Sequence, residues 1–135
     1  MMFYLMSVHD DYASLILSGE KRVEIRSNGV HMRPGDYVAI YATKPLGRIV
    51  GYFVVDSVII DDQETIWDKY KDQACMLREN YLSYTKDKRT ISAIVIKKSI
   101  KKDGLYLADI DIRIPQRYMK ISKEQFLDIC RIPSL

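Results

Sequence analysis

Apolar and polar positions alternate along the chain in short blocks, and each block predicts one strand or one helix. Phe3 to Val8 is almost entirely apolar and predicts a first strand. Asp10 or Asp11 can then cap a short amphipathic helix, which we expect to end at Gly19. Further along, the pattern predicts strands over residues 22–26, 36–42, 48–60, 90–96 and 106–114, and helices over 63–74, over 77–85 and from residue 122.

The order of these elements predicts a fold class. About five or six strands are expected, helices interrupt them at two or three places, and regular βαβ alternation is missing. At 135 residues, with an ordinary share of apolar positions, the chain can form one domain with its own core. We therefore predict a single α+β domain over residues 1–135, built on a small curved sheet or barrel.

A loop rich in turn-forming residues, Ser27 to Gly35, follows the second predicted strand. It contains Asn28-Gly29 and Pro34-Gly35, and we expect it to be mobile enough to act as a lid. His31 in this loop and His9 at the entrance of the first helix are expected to face solvent, as histidines in such places ordinarily do.

Charged residues are concentrated in the segment from Gly19 to Arg26, which otherwise reads as a buried strand. If Val23 and Ile25 face a core, alternation brings the neighbouring charged side chains together on the opposite face. Those side chains are Arg22, Glu24 and Arg26, and Lys21 precedes them. Such a cluster suits the binding of an anionic or hydrogen-bonding ligand. A solvated strand face with weak surface ion pairs is the alternative interpretation.

The net charge is only mildly positive, with 21 basic and 18 acidic residues, but its distribution is uneven. Residues 61–79 are mainly acidic, and residues 86–102 are mainly basic. A basic edge can follow a phosphate backbone, and lysines also protect an exposed sheet edge from pairing. We take as the candidate nucleic-acid surface the lysines Lys97, Lys98, Lys101 and Lys102.

Two cysteines, Cys75 and Cys130, lie far apart without further ligands at metal-binding spacing. The sequence therefore indicates neither a metal site nor a disulfide, and it suggests no cofactor. Since no segment reaches the length of a membrane span and no signal peptide is recognisable, we expect a cytoplasmic protein without a membrane partner.

Three segments together resemble the ASCH domain family of the PUA-like superfamily. They are a helix ending in Leu17-Ser18-Gly19, the Gly-x-Lys-x-x-Glu-x-Arg signature at residues 19–26, and the strand from Gly35 to Ala42. The resemblance implies a small PUA-like β-barrel with a cleft between the first helix and the signature strand. It also implies binding of RNA or a nucleotide-like ligand, in regulation or RNA processing.

The resemblance also implies where ligand-contacting residues lie. Lys21, Glu24 and Arg26 would form the cleft floor, and the remaining contacts would come from Tyr41, Thr43, Lys44 and Arg117. A core position for Tyr41 is the alternative.

One branch of similar sequence deacetylates a modified cytidine with a lysine and a threonine three residues later. Glu24 stands where that threonine would be, and acyl transfer to a carboxylate would form a mixed anhydride, so this activity is disfavoured. RNA cleavage with Lys21 and Glu24 as acid and base stays open. A protein-binding surface around Trp67 and Tyr70 is a further hypothesis, and buried aromatic rings there would oppose it.

Overall fold

The structure is a computed structural model, and it describes residues 1–135. Six strands are present: β1 (Phe3–Val8), β2 (Val23–Arg26), β3 (Tyr37–Ala42), β4 (Arg48–Asp61), β5 (Ile91–Lys101) and β6 (Tyr118–Ile121). Four α-helices join them: α1 (Asp10–Ser18), α2 (Gln63–Ala74), α3 (Arg78–Tyr84) and α4 (Lys123–Cys130). None of these helices has both the length and the apolar character needed to cross a membrane.

All six strands form one sheet in the order β2-β5-β4-β3-β1-β6. Only β1 and β3 run parallel, and the other neighbours are antiparallel. The long strand β4 pairs with β3 over residues 48–54 and with β5 over residues 51–61, and its pairing with β5 has register shifts at Val54–Val55 and Val55–Ser57. Bulges of this kind bend a strand and increase its twist. The sheet therefore curls into an open half-barrel, which confirms the predicted α+β class and strand number.

Three apolar clusters hold the helices against the sheet. Ile16 of α1 packs with Phe53 on one face, and Phe126 of α4 packs with Leu5 on the other. Helices α2 and α3 cover the end of the sheet near β2, where Val23 is buried. Burying an aliphatic or aromatic side chain of this size contributes about 1.5–3 kcal/mol, so each cluster fixes its helix firmly.

Helix α1 begins one residue earlier than the capping prediction. The cap is His9, whose Nδ1 accepts a hydrogen bond from the backbone N–H of Asp11 at 3.3 Å. Asp10 and Asp11 form the first turn, where acidic side chains favour the helix dipole. Gly19 ends the helix in a left-handed conformation, as predicted.

Two sequence predictions near the carboxyl end were wrong. Residues 106–114 form no strand: they contain a short 3₁₀ turn at Leu107–Asp109 and a single bridge from Tyr106 to Arg48. Ile110 and Ile112 account for the apolar alternation by packing beside α4 without joining the sheet. The sixth strand is instead β6, which was not predicted.

The loop from Ser27 to Gly35 is anchored in the core, contrary to the expectation of a lid. Val30 and Met32 are buried in the cluster below α1. The Tyr118 hydroxyl accepts a hydrogen bond from the His31 backbone N–H at 3.3 Å. These contacts hold the middle of the loop in place.

Candidate ligand-binding cleft

A concave cleft of about 220 Å³ lies beside β2, between the start of α1 and the chain that connects α2 to α3. Residues from five parts of the chain form it: the end of β1, the first turn of α1, the segment before and within β2, the α2–α3 connection, and the end of α3. They are Ser7, Val8, His9, Tyr12, Lys21, Glu24, Ile25, Arg26, Met76 and Tyr84.

The floor of the cleft contains a buried ion pair. Arg26 donates to Oε2 of Glu24 from Nε at 2.9 Å and from Nη2 at 2.7 Å. Nη2 also donates to the Ser7 carbonyl at 3.0 Å, so the guanidinium is fixed to two strands. The side chains of Arg26 and Glu24 are only 11% and 8% exposed. Their geometry excludes the alternative of a solvated strand face with weak ion pairs.

Lys21 completes the floor but is already engaged by the protein. Its side chain is 1% exposed, and Nζ lies 3.7 Å from Glu24 Oε1 and 4.8 Å from the centre of the Tyr12 ring. Nζ donates a hydrogen bond to the carbonyl of Ala74, the last residue of α2. A cation there satisfies a free carbonyl and complements the helix dipole. Lys21 therefore joins the signature segment to the inserted helices.

Burial lowers the pKa of Lys21 below its usual value, and the negative charge of Glu24 partly offsets this effect. Removing an ammonium from water disfavours its charged form, whereas a nearby carboxylate favours it. Lys21 is thus poised to release its proton more readily than a surface lysine.

Arg22 does not join the charged cluster that alternation predicted. Its side chain is exposed and does not line the cleft. The reason is that β2 begins only at Val23, and the Arg22 backbone N–H donates to the Gln73 carbonyl at 2.9 Å. Lys21 occupies the interior position instead.

The walls of the cleft are largely aromatic, which the sequence did not predict. Tyr12 and His9 come from the start of α1, Tyr84 comes from the end of α3, and Met76 lies between α2 and α3. The pKa of Tyr12 is raised by burial and then by the negative charges of Glu24 and Asp11. Tyr12 could have been found as a wall residue from its position in the first turn of the predicted helix. Nothing in the sequence places Tyr84 in the same cleft.

Tyr41, Thr43 and Lys44 do not line this cleft. Tyr41 is buried in the cluster with α4, on the other side of the sheet. Thr43 donates its backbone N–H to the carbonyl of Val8, a cleft residue, at 3.1 Å, and its side chain is half-buried. Lys44 is exposed in the turn between β3 and β4. Of these three residues, Thr43 lies nearest the rim.

Arg117 is exposed on the loop that precedes β6. Its carbonyl accepts the backbone N–H of Ser7 at 2.9 Å, and the Ser7 hydroxyl donates to the Pro115 carbonyl at 2.6 Å. Because the Ser7 carbonyl also accepts a hydrogen bond from Arg26, Ser7 connects this loop to the cleft floor. Arg117 itself borders a neighbouring shallow concavity formed by residues 113–119.

The four lysines of the candidate nucleic-acid surface are spread over more than one side of β5. Lys97 and Lys98 lie near Arg22 and the end of α1, where Lys21 also contributes to a second small groove. Lys101 lies in a groove with Leu17 of α1 and Val50 of β4, and Lys102 lies toward Cys130 of α4. The pair Lys97 and Lys98 is therefore the part of this set closest to the cleft.

The apolar side chains of the acidic helices differ in burial, and Leu77 at the start of α3 is 64% exposed. Tyr70 is buried, and Trp67 is half-buried against Tyr81 with the Arg78 guanidinium 5.6 Å from its ring. Tyr70 is therefore unavailable to a partner, whereas Trp67 is partly accessible. No group of three histidine, cysteine, aspartate or glutamate side chains lies close enough together to hold a metal ion.

A family model described as the ASCH domain matches residues 6–103 of the chain. The chain is 24% identical over 126 residues to the "ASCH domain-containing ribonuclease" of Zymomonas mobilis, covering 90% of this chain and 85% of that protein. The crystal structure of ASCH from Zymomonas mobilis superposes with a TM-score of 0.89 at 21% identity, covering 94% of this chain and 92% of that one.

A shorter similarity relates part of the chain to a ribosomal protein. Over 64 residues it is 36% identical to the large ribosomal subunit protein uL22 of Ureaplasma parvum. The match covers 47% of this chain and 21% of that protein.

Together with the half-barrel, the family match and the Zymomonas structure support the PUA-like fold that the signature segment implied.

Proposed function

The chain belongs to the ASCH domain family, and from that premise we propose that it binds RNA in the cleft floored by Lys21, Glu24 and Arg26. The observation that carries the proposal is the buried Arg26–Glu24 pair at the bottom of a concavity with aromatic walls. Single-stranded RNA is commonly bound by aromatic side chains that stack on its bases and polar groups that contact base edges.

The relatives favour RNA over other ligands. One similar protein is named a ribonuclease, and another is named a component of the large ribosomal subunit. The exposed lysines Lys97 and Lys98, in the groove that borders Lys21, would extend the contact along the phosphate backbone. The thiols of Cys75 and Cys130 are both free, which suits the reducing cytoplasm.

The experiment is a fluorescence-anisotropy titration of short single-stranded RNA at several salt concentrations. We expect affinity to fall steeply between about 50 and 200 mM salt if lysines neutralise phosphates. Replacing both Lys97 and Lys98 by Gln should flatten this dependence, and Arg26→Gln should weaken binding at every salt concentration. The matched control is Lys123→Gln, on the exposed start of α4. Absence of RNA binding would reject the proposal.

A second candidate function is RNA cleavage in the same cleft, favoured by the 3.7 Å separation between Lys21 Nζ and Glu24 Oε1. Glu24 would accept the proton of a ribose 2′-hydroxyl, whose oxygen attacks the adjacent phosphorus. The bond from phosphorus to the 5′-oxygen breaks, and the Lys21 ammonium would give that oxygen its proton. The products are a 2′,3′-cyclic phosphate and a 5′-hydroxyl.

Cleavage is tested with a labelled RNA and with the same RNA carrying one 2′-deoxy position. Turnover should stop at the deoxy position, and Lys21→Met should abolish it while circular dichroism still reports the fold. Cleavage that ignores the 2′-hydroxyl would contradict this mechanism. Deacetylation of a modified cytidine is not proposed, because Glu24 occupies the position of the required threonine.

A further inference from the structure

We propose that a second basic surface, on the turn between α3 and β5, binds the RNA backbone at the opposite end of β2 from Lys97 and Lys98. This inference rests on RNA binding by the protein. The surface, here called the turn cluster, consists of Lys86, Lys88 and Arg89, which are all exposed. No carboxylate oxygen lies within 4.0 Å of their side-chain nitrogens. Their positive charges are therefore free to meet an anion from solvent.

The fold holds this turn in a defined conformation. Thr85 is buried, and its Oγ1 donates to the Tyr81 carbonyl and accepts from Gln63 Nε2, both at 2.7 Å. The Lys88 backbone N–H donates to the Thr85 carbonyl at 3.2 Å. Asp87 completes the turn with a positive φ of 62°. Since the backbone is ordered before a ligand arrives, binding here loses little chain entropy.

The turn cluster adjoins the cleft at the Arg26 end of β2. It begins two residues after Tyr84, which lines the cleft. The Tyr84 hydroxyl accepts a hydrogen bond at 3.4 Å from the backbone N–H of Ser27, the residue that follows β2. In the sheet Arg26 pairs with Ser92. The turn cluster therefore precedes the part of β5 that pairs with the end of β2.

Lys97 and Lys98 lie at the other end of β2. The first residue of that strand, Val23, pairs with Val95, and both lysines share a groove with Lys21. At about 3.3 Å per residue, the six steps from residue 91 to residue 97 cover about 20 Å. Two groups of cations are thus separated along the direction of β2, with the cleft beside the strand that lies between them.

The charges around the cleft favour a polyanion that runs along β2. Asp10 and Asp11, in the first turn of α1, repel phosphate on one side of the cleft. The connection opposite, residues 75–77, carries no charged side chain. The two ends of β2 instead offer cations without carboxylate partners. A single strand along β2 would place phosphates on both groups of cations and its middle part at the cleft.

Protection of a sheet edge does not explain the turn cluster. Strand β5 is an interior strand between β2 and β4, so the turn that leads into it is not an edge that another chain could pair with. Lys97 and Lys98 differ in this respect, because they lie beyond the residues of β5 that pair with β2. The turn cluster is therefore the stronger indication of a binding surface.

The first test compares salt dependence in two triple variants by fluorescence anisotropy with single-stranded RNA of about twelve nucleotides. The turn-cluster variant is Lys86→Gln, Lys88→Gln and Arg89→Gln. At about 100 mM salt it should bind about tenfold or more weakly than the unmodified protein. The slope of log affinity against log salt should be smaller by about 2, because each phosphate contact on a single strand contributes about 0.7.

A matched control removes the same charge elsewhere, so that a change in net charge alone is accounted for. It replaces three exposed residues on β6, at the opposite edge of the sheet, and on and just after α4. The replacements are Lys120→Gln, Lys123→Gln and Arg131→Gln. The salt slope of this control should stay close to that of the unmodified protein. Circular dichroism and thermal unfolding check that both triple variants are folded.

The second test examines the placement at two ends. RNA of about twelve nucleotides should lose affinity in the turn-cluster variant and also in the double variant Lys97→Gln and Lys98→Gln. A dinucleoside monophosphate has a single phosphate, so it can contact only one of the two groups of cations. Its binding, followed by nitrogen-15 NMR, should weaken in at most one of these two variants.

The failure of this inference is distinguishable from the failure of RNA binding. An unchanged salt slope in the turn-cluster variant would reject the second surface, and so would an equal decrease in the control variant. Weaker binding of the dinucleoside in both variants would reject the placement at opposite ends of β2. In each of these cases RNA binding itself stands. If the unmodified protein binds no RNA, both proposals fall.

Discussion

Arg26 binds a single oxygen of Glu24 through two of its nitrogens, Nε at 2.9 Å and Nη2 at 2.7 Å. In this geometry Oε2 of Glu24 fixes the guanidinium, and Oε1 makes no hydrogen bond to Arg26. A guanidinium is required, because a lysine has one side-chain nitrogen and cannot supply the two nitrogens that contact Glu24, one of which also donates to the Ser7 carbonyl.

Arg26→Lys should therefore destabilise the protein although it conserves the charge. We expect a loss of about 1–3 kcal/mol in the free energy of unfolding, because two charge-assisted hydrogen bonds and the Ser7 contact are weakened. Urea unfolding monitored by circular dichroism measures it. Arg22→Lys is the matched control, since the Arg22 side chain is exposed and makes no hydrogen bond. Equal stability of the two variants would contradict this role of Arg26.

The Lys21 ammonium should titrate at a pH below the usual lysine value of 10.5. Burial is the main cause of its lowered pKa, and Glu24 acts in the opposite direction. Carbon-13 NMR of the Lys21 ε-carbon can follow this titration. In Glu24→Gln the Lys21 pKa should fall further, because the favourable negative charge is lost. A Lys21 titration at or above the usual value of 10.5 would disprove the effect.

The same shift predicts how stability depends on pH. The unfolded chain binds more protons at Lys21 than the folded chain does, between the lowered folded pKa and the usual value of 10.5. The contribution of Lys21 to stability therefore increases as pH rises through that window. Subtracting the unfolding free energy of Lys21→Met from that of the unmodified protein isolates the contribution of Lys21 from that of the tyrosines, which ionise in the same pH range. We expect the unfolding free energy of the unmodified protein, relative to that of Lys21→Met, to increase at alkaline pH.

The sequence predicted the cleft floor because one strand supplies most of it. Val23 and Ile25 are buried as alternation required, and this fixes the side of β2 on which Glu24 and Arg26 lie. Local periodicity is sufficient for contacts between residues i and i+2 on one strand. The same reasoning placed Arg22 wrongly, because alternation holds only where the strand has begun.

The cleft walls were beyond prediction because they depend on how separate elements pack. Tyr12 and Tyr84 are more than seventy positions apart in the sequence, and both line the cleft. Hydrogen bonds from Lys21 to the Ala74 carbonyl and from the Arg22 N–H to the Gln73 carbonyl hold α2 against the segment before β2. Tyr41 shows the converse limit. The family resemblance implied a ligand contact at this residue, but alternation along β3 directs its ring toward α4.

Gly51→Ala should be among the more destabilising single-methyl changes in the chain. A β-carbon at Gly51 would lie 2.3 Å from the Ile100 carbonyl oxygen and 2.7 Å from a methyl of Leu17. Because the first of these atoms belongs to the paired strand β5, the sheet itself would have to shift. Overpacking of this kind costs about 1–3 kcal/mol. Gly29→Ala is the control, since its added methyl would meet no atom within 4 Å. In thermal unfolding, the midpoint of Gly29→Ala should stay near that of the unmodified protein, and the midpoint of Gly51→Ala should be lower.

The two cysteines should differ sharply in reactivity. Burial raises the pKa of Cys130 to about 12, and its side chain is enclosed in the cluster with α4, so almost no thiolate forms at neutral pH. Cys75 is half-buried at the end of α2 and can be reached from solvent. A chromogenic disulfide reagent at about pH 8 should therefore label one thiol per folded chain, and both after denaturation. Cys75→Ser should remove the fast reaction, whereas Cys130→Ala should leave it unchanged. Rapid labelling of both thiols in the folded protein would show that α4 opens readily from the sheet.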